Sequence, residues 1–142
     1  MNFAYTVWIA LALTAPAGIV LAVEPAPEGD VQAARATMLE AVQLLQGVNR
    51  ILDTVSDRAT ADAAAMPIIG NLTQYASVIE NLDVNIDDLN PAQQRALEKD
   101  YEARFYELKS SIYEKIQALD AAGAYGSAAL QSAISQYQQL YK

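Results

Sequence analysis

The sequence predicts an all-α protein: an antiparallel helical bundle of three long helices plus a shorter fourth, preceded by an N-terminal signal helix. Three observations lead there. Apolar residues recur at alternating spacings of three and four along three separate stretches, the repeat of a helix face laid on other helices. Clear start and stop signals bracket the longest of them, Asn90 to Ala122. The charged residues of that stretch fall off its apolar stripe, so one side meets water and the other must meet partner helices.

Residues 1–22 carry no charge, and Phe3 to Ala15 is apolar apart from Thr6 and Thr14. Pro16 and Gly18 loosen the run, and Val20-Leu21-Ala22 places small residues at the −3 and −1 positions of a cleavage site. This is the pattern of a secretory signal, although Met1-Asn2 offers only the amino terminus as a positive charge. The alternative is a retained anchor, because about 20 apolar residues suffice to span a bilayer. Residues 23–29 (VEPAPEG) form a Pro-rich acidic leader, and 30–142 form the helical domain.

Asp30 is placed to cap the first helix. Its seam is Val31, Ala34, Met38, Ala41, Leu45, Val48, Leu52 and Val55, an unbroken heptad alternation. Leu39, Val42, Leu44 and Ile51 widen the face enough for two neighbours. Gly47 lies within it, either to permit a close helix crossing or simply tolerated at about 1 kcal/mol. Ser56 to Ala59 reads as a turn, with Thr60 opening the second helix and Asp62 in its first turn. The second seam is Ala61, Ala65, Ile68, Leu72, Tyr75, Ile79, Leu82 and Ile86. The heptad phase survives across Pro67, which predicts a kink near residues 63–67 and no loop. Asn81 to Asn90 reads as an acidic connection.

The stretch Asn90 to Ala122 organises the rest. Asn90 is a cap, Pro91 sits at the first helical position, and Gln93 is spaced to reach back to the cap. Gly123 supplies the left-handed stop. The helix between is roughly 48 Å long. Its stripe is Leu97, Tyr101, Phe105, Leu108, Ile112, Ile116 and Leu119, close to an 11-residue period and so nearly straight. Arg95/Glu98, Lys99/Glu102, Arg104/Glu107 and Asp100/Arg104 are spaced to pair along it. After a turn at Ala124 to Gly126, Ser127 caps a short last helix with Leu130, Ile134, Tyr137 and Tyr141 (or Leu140) on one face.

Composition excludes several chemistries. The chain has no Cys, so disulfides, thiol catalysis, Cys-ligated zinc and covalently attached c-type haem are absent. It has no His, which removes the commonest general base and the inward Glu-x-x-His motif of di-iron helical proteins. No cofactor is expected. Residues 23–90 carry 11 acids and 3 bases, whereas residues 91–142 carry 6 of each. Without a basic patch, nucleic acid is not an expected partner. Once the signal is removed, no membrane contact is expected either.

Asp83-x-Asn85-x-Asp87 matches the first three liganding positions of a calcium loop, but Asp88 stands where Gly is wanted and Gln94 where a bidentate Glu is wanted. A solvated turn is the simpler reading. Seven tyrosines lie beyond the signal, and Tyr106, Tyr113, Tyr137 and Tyr141 are candidates for a partner-binding or self-association surface. Asn71-Leu72-Thr73 spells a glycosylation sequon, but Leu72 falls on the core face of a helix.

Leu89-Asn90-Pro91-Ala92-Gln93 resembles the LTxxQ motif of periplasmic stress chaperones, with Asn for Thr and one copy where that family has two. The run Asp57-x-x-Thr60-Ala61-Asp62-x-Ala64-Ala65 resembles small exported helical proteins of bacteria, a resemblance that brings no activity with it. The sequence therefore points to a secreted or periplasmic, non-enzymatic protein that acts through protein–protein contact, with an unknown protein partner or weak self-association. A periplasmic chaperone or stress sensor is the second reading, and a carboxylate-dependent hydrolase the third.

Overall fold

A computed structural model describes residues 28–87 and 89–140. The expected signal segment, residues 23–27 of the leader, and Tyr141 lie outside the described residues. About 93% of the described residues are helical and none is in a strand, so the chain is all-α. The elements are α1 (Glu28–Asp53), α2 (Arg58–Asp87), α3 (Pro91–Ala121), a short left-handed turn (Gly123–Gly126) and α4 (Ala128–Leu140). Among the described residues no helix is long and apolar enough to cross a membrane.

Helix α1 is already helical at Glu28, the first described residue, so the expected cap Asp30 lies inside the helix. Ala34, Met38, Ala41, Leu45, Val48 and Leu52 of its seam are buried, and Val31 and Val55 are half-buried at the two ends. Leu39, expected to widen the face, is instead 41% exposed.

Helix α2 begins at Arg58 and not at Thr60. Asp57 is the cap: its Oδ1 accepts from the Thr60 N–H at 2.8 Å. The Thr60 hydroxyl reaches back to accept from the N–H groups of Ser56 and Asp57, each at 3.0 Å. Thr60 thus does the reciprocal work of a capping-box Glu. The Thr60 N–H and the Thr60 hydroxyl, each donating to Asp57 Oδ1 at 2.8 Å, hold the Asp57 carboxyl below the usual carboxylate range. Pro67 sits inside an unbroken helix. Pro67 and Ala63 are both exposed, so water can satisfy the Ala63 carbonyl that the proline leaves without a donor. The acidic segment expected to be a connection is helical as far as Asp87. Leu82 and Ile86 continue the apolar line there, and that burial outweighs the weak helix propensity of the Asp and Asn residues between them.

Helix α3 opens as its sequence demands. Asn90 Oδ1 accepts from the N–H groups of Ala92 and Gln93, both at 3.0 Å, and Gln93 Oε1 accepts from the Asn90 N–H at 3.1 Å. Gln94 then donates to the carbonyls of Ile86 (2.9 Å) and Leu89 (3.0 Å), tying off the end of α2. The ion pairs formed are not the intrahelical ones expected on α3. Arg35–Asp100 (3.3 Å) and Lys115–Asp53 (2.5 Å) join α3 to α1.

Contacts between side chains give the helix directions. Gln74 donates to Glu40 and Asn85 to Thr37, so α2 runs opposite to α1. Arg35–Asp100 and Ser111–Asn49 (3.0 Å) run in register, so α3 is parallel to α1. Ser127 donates to Asp62 at 2.5 Å and Gln131 to Asp120 at 3.0 Å, which lays α4 along α2 and antiparallel to α3. Helix α1 packs closely on both α2 and α3, α2 packs on both α1 and α4, and α2 and α3 stand apart. Gly47 marks the close approach, since a Cβ there would meet Asn71 Nδ2 at 3.2 Å.

The core has two parts. The larger includes Leu45, Leu72, Phe105, Ile112 and Ile134, with Leu108 packed on it, and draws on all four helices. The smaller, formed by Ala34, Met38, Leu82, Leu89 and Leu97, draws on α1 to α3 only. The two meet at Ile79 and Tyr101.

The corner into α4 is unusual. Gly123, Ala124, Tyr125 and Gly126 all take positive φ, at 60°, 49°, 52° and 75°. Glycine adopts this conformation freely, whereas each L-residue there costs about 1–2 kcal/mol. Ala124 is fully buried, and Ser127, only 2% exposed, holds the exit by accepting from the Leu130 N–H at 3.0 Å. Replacing Ser127 by Ala removes this cap and the bond to Asp62, and should cost about 1–3 kcal/mol in urea unfolding at neutral pH. Gly70, with open space around its Cβ position inside α2, offers the opposite test. Gly70→Ala should raise stability by about 0.5–1 kcal/mol in the same assay.

Candidate functional site

Helix α3 carries two of the exposed aromatic rings, Tyr106 and Tyr113, and a third, Tyr125, lies in the corner before α4. Tyr106 and Tyr113 are seven residues apart, hence on one face, and are 72% and 56% exposed. Lys109 lies between them, half-buried, with its ammonium 5.8 Å from the centroid of the Phe105 ring. Burial pushes the Lys109 ammonium below its ordinary pKa.

Tyr137 does not belong to this surface. It faces inward from α4, 4% exposed, and joins the larger core. Burial, with a smaller effect from the neighbouring Tyr113 phenol, pushes its hydroxyl up to about 12. The spacing of Leu130, Ile134 and Tyr137 had already placed Tyr137 on the apolar face of α4, and that burial removes it from the candidate surface. Of the four tyrosine candidates, then, Tyr106 and Tyr113 are exposed, Tyr137 is buried, and Tyr141 lies outside the described residues.

The calcium-loop candidate does not assemble. Asp83, Asn85 and Asp87 lie on a continuous helix, so Asn85 projects away from the two acids and donates to Thr37 of α1 at 3.3 Å. Gln94, at the position of the missing bidentate ligand, is spent on the carbonyls of Ile86 and Leu89. Among the described residues no three His, Cys, Asp or Glu side chains come together to hold a metal ion. Ser127 is the one buried polar residue described, so no pair of inward carboxylates is found there.

The acids of α2 do form a different feature. Glu80, Asp83 and Asp87 line the same side of the helix, at spacings of three and four, and no basic residue sits in its last turn. Partial burial, then the charges of Asp87 and Glu80, raise the Asp83 carboxyl above its ordinary pKa. This ridge was visible in the sequence as spacing, but reading the segment as a loop concealed it. Leu89, Asn90 and Gln93 of the LTxxQ-like motif are engaged in core packing and capping. Asn71 of the sequon is half-buried against Gly47.

A raised folded-state pKa means that Asp83 contributes stability that is fully present below its unfolded pKa and lost as pH rises through the folded value. Asp83→Asn should therefore leave stability unchanged below roughly pH 4 and raise it at pH 7. Thermal unfolding followed by circular dichroism across that range checks the direction. Equal pH profiles for variant and parent would remove the assignment.

No family model, curated protein or solved structure matches this chain.

Proposed function

We propose that this protein is an exported antiparallel helical bundle, three long helices plus a shorter fourth, that acts without catalysis through contact with another protein. The observation that carries the reading is the pair of largely exposed tyrosines, Tyr106 and Tyr113, one heptad apart on α3 and flanking the half-buried Lys109. Aromatic rings and a partly desolvated cation on a rigid helix are the ingredients of a protein-binding surface: large contact area, few rotamers and a polar tip on each ring. Export rests on the uncharged apolar run of residues 1–22 and its small-residue end at Val20-Leu21-Ala22. The secreted or periplasmic location follows from the same run. The chaperone reading has less support, because the residues of its motif are occupied in capping α3 and packing the smaller core.

A photo-reactive amino acid placed at Tyr106 or Tyr113 in the source cell should capture one discrete partner band, and the same group at Glu107 or Glu114, on the outward side of α3, should capture none. The Tyr106→Ala/Tyr113→Ala double variant should unfold within about 0.5 kcal/mol of the parent, since both rings are exposed. Capture at all four positions alike, or at none, would defeat the reading.

A further inference from the structure

The corner between α3 and α4 holds two L-residues, Ala124 and Tyr125, in the left-handed region at φ 49° and 52°. That conformation is unfavourable for any residue with a Cβ. Two ties keep it in place. Ala124 is fully buried in the larger core, and Ser127 donates to Asp62 of α2. Both last only while α4 lies against α2.

The same stretch has an unstrained alternative. Ala121 to Ala129 (AAGAYGSAA) contains no Pro and no charged residue, and most of it is Ala, the strongest helix former. With Ala124 and Tyr125 at negative φ, α3 runs on into α4 as one helix, which Gly123 and Gly126 weaken without blocking. In that form α4 points away from the α2 of its own chain. Its inward side, Leu130, Ala133, Ile134 and Tyr137, would then stand in water. The surface shaped to receive these four side chains is the one they left, chiefly on α2 and hardly on α3, and every copy of the chain has it.

We infer that α4 exchanges between two copies of this chain, with Gly123–Gly126 as the hinge. In the exchanged pair each chain runs straight from α3 into α4, and each α4 packs on the α2 of the other copy. The arrangement is reciprocal, as a two-fold dimer requires. The apolar contacts of α4 are re-formed across the pair, while Ala124 and Tyr125 leave the left-handed region. Strain in a short hinge drives exchange of this kind. Helix α4 itself carries no charged residue, so it brings no charge of its own to a copy whose net charge is −8. Opposing the pair are the lost cap at Ser127 and the entropy cost of joining two molecules. The exchange needs neither Tyr106 nor Tyr113 and goes beyond the protein-contact reading.

The test unfolds the full chain in urea and refolds it at high and at low concentration. Sedimentation should show a dimer after refolding at high concentration and a monomer at low. A Cβ at Gly123 or Gly126 would meet nothing within 4 Å, so Gly123→Ala/Gly126→Ala penalises the monomer only through their φ of 60° and 75°. That variant should tighten the dimer at least roughly tenfold. Tyr125→Gly, which relieves the corner and weakens the continuous helix, should loosen it by roughly the same factor. Gly70→Ala, the same chemical change inside α2, should alter it less than about twofold. Circular dichroism checks that each variant is folded. Spin labels on Glu107→Cys/Ser135→Cys, at two exposed positions of a chain without other thiols, read the hinge directly. With the labelled chain diluted into unlabelled protein, the labels should lie roughly 42 Å apart in the dimer and under roughly 20 Å apart in the monomer. A folded Gly123→Ala/Gly126→Ala variant that stays monomeric, a dimer strengthened by Tyr125→Gly, or a dimer that keeps the short label distance would each overturn the inference.

Discussion

The packing depends on α1 and α2 each being apolar on two sides at once, and α1 shows how. One side, with Gly47 at its closest point, takes α2, and the other takes α3 through the Asn49–Ser111 and Asp53–Lys115 contacts. Because α2 and α3 meet α1 more than each other, they leave a trough between them. Helix α4 fills part of it with Leu130, Ala133, Ile134 and Tyr137. Burying a side chain such as Leu45 or Leu72 is worth roughly 1.5–3 kcal/mol, so the repeat of such residues along α1 and α2 outweighs any single polar contact in the protein. The polar contacts do something else. They set direction and register, as Asn85–Thr37 does for α2 and Arg35–Asp100 does for α3.

Local signals in the sequence proved readable wherever one physical cause dominated. The seam of α1 from Ala34 to Leu52 is buried residue by residue, and the Asn90–Gln93 box forms with both of its bonds. The signals failed where two causes competed. At the start of α2, Asp57 and Thr60 are both cap formers, and the chain uses both, which moves the helix start back to Arg58. At its end, the charges of Asp83 and Asp87 suggested a loop, but the line through Leu82 and Ile86 kept the backbone helical.

The surface was less legible than the core, for a reason of geometry. Tyr106, Tyr113 and Tyr137 have the same chemistry, and only the position of neighbouring helices separates the exposed pair from the buried ring. A sequence gives the angle of a side chain around its own helix but not which helix stands beside it. The Glu80–Asp83–Asp87 ridge was hidden for another reason: it exists only because the segment that carries it is helical.

The parallel arrangement of α1 and α3 bears on the order in which a growing chain acquires its shape. Arg35 and Asp100 are 65 positions apart, and Lys115 reaches back 66 positions to the Asn49 carbonyl, so neither contact exists until most of the polypeptide has been made. Helices α1 and α2 can pair as a hairpin long before then. During that interval the second apolar side of α1 is bare, and the nascent chain holds an unfinished surface that only its own later residues, or a passing helper, can cover.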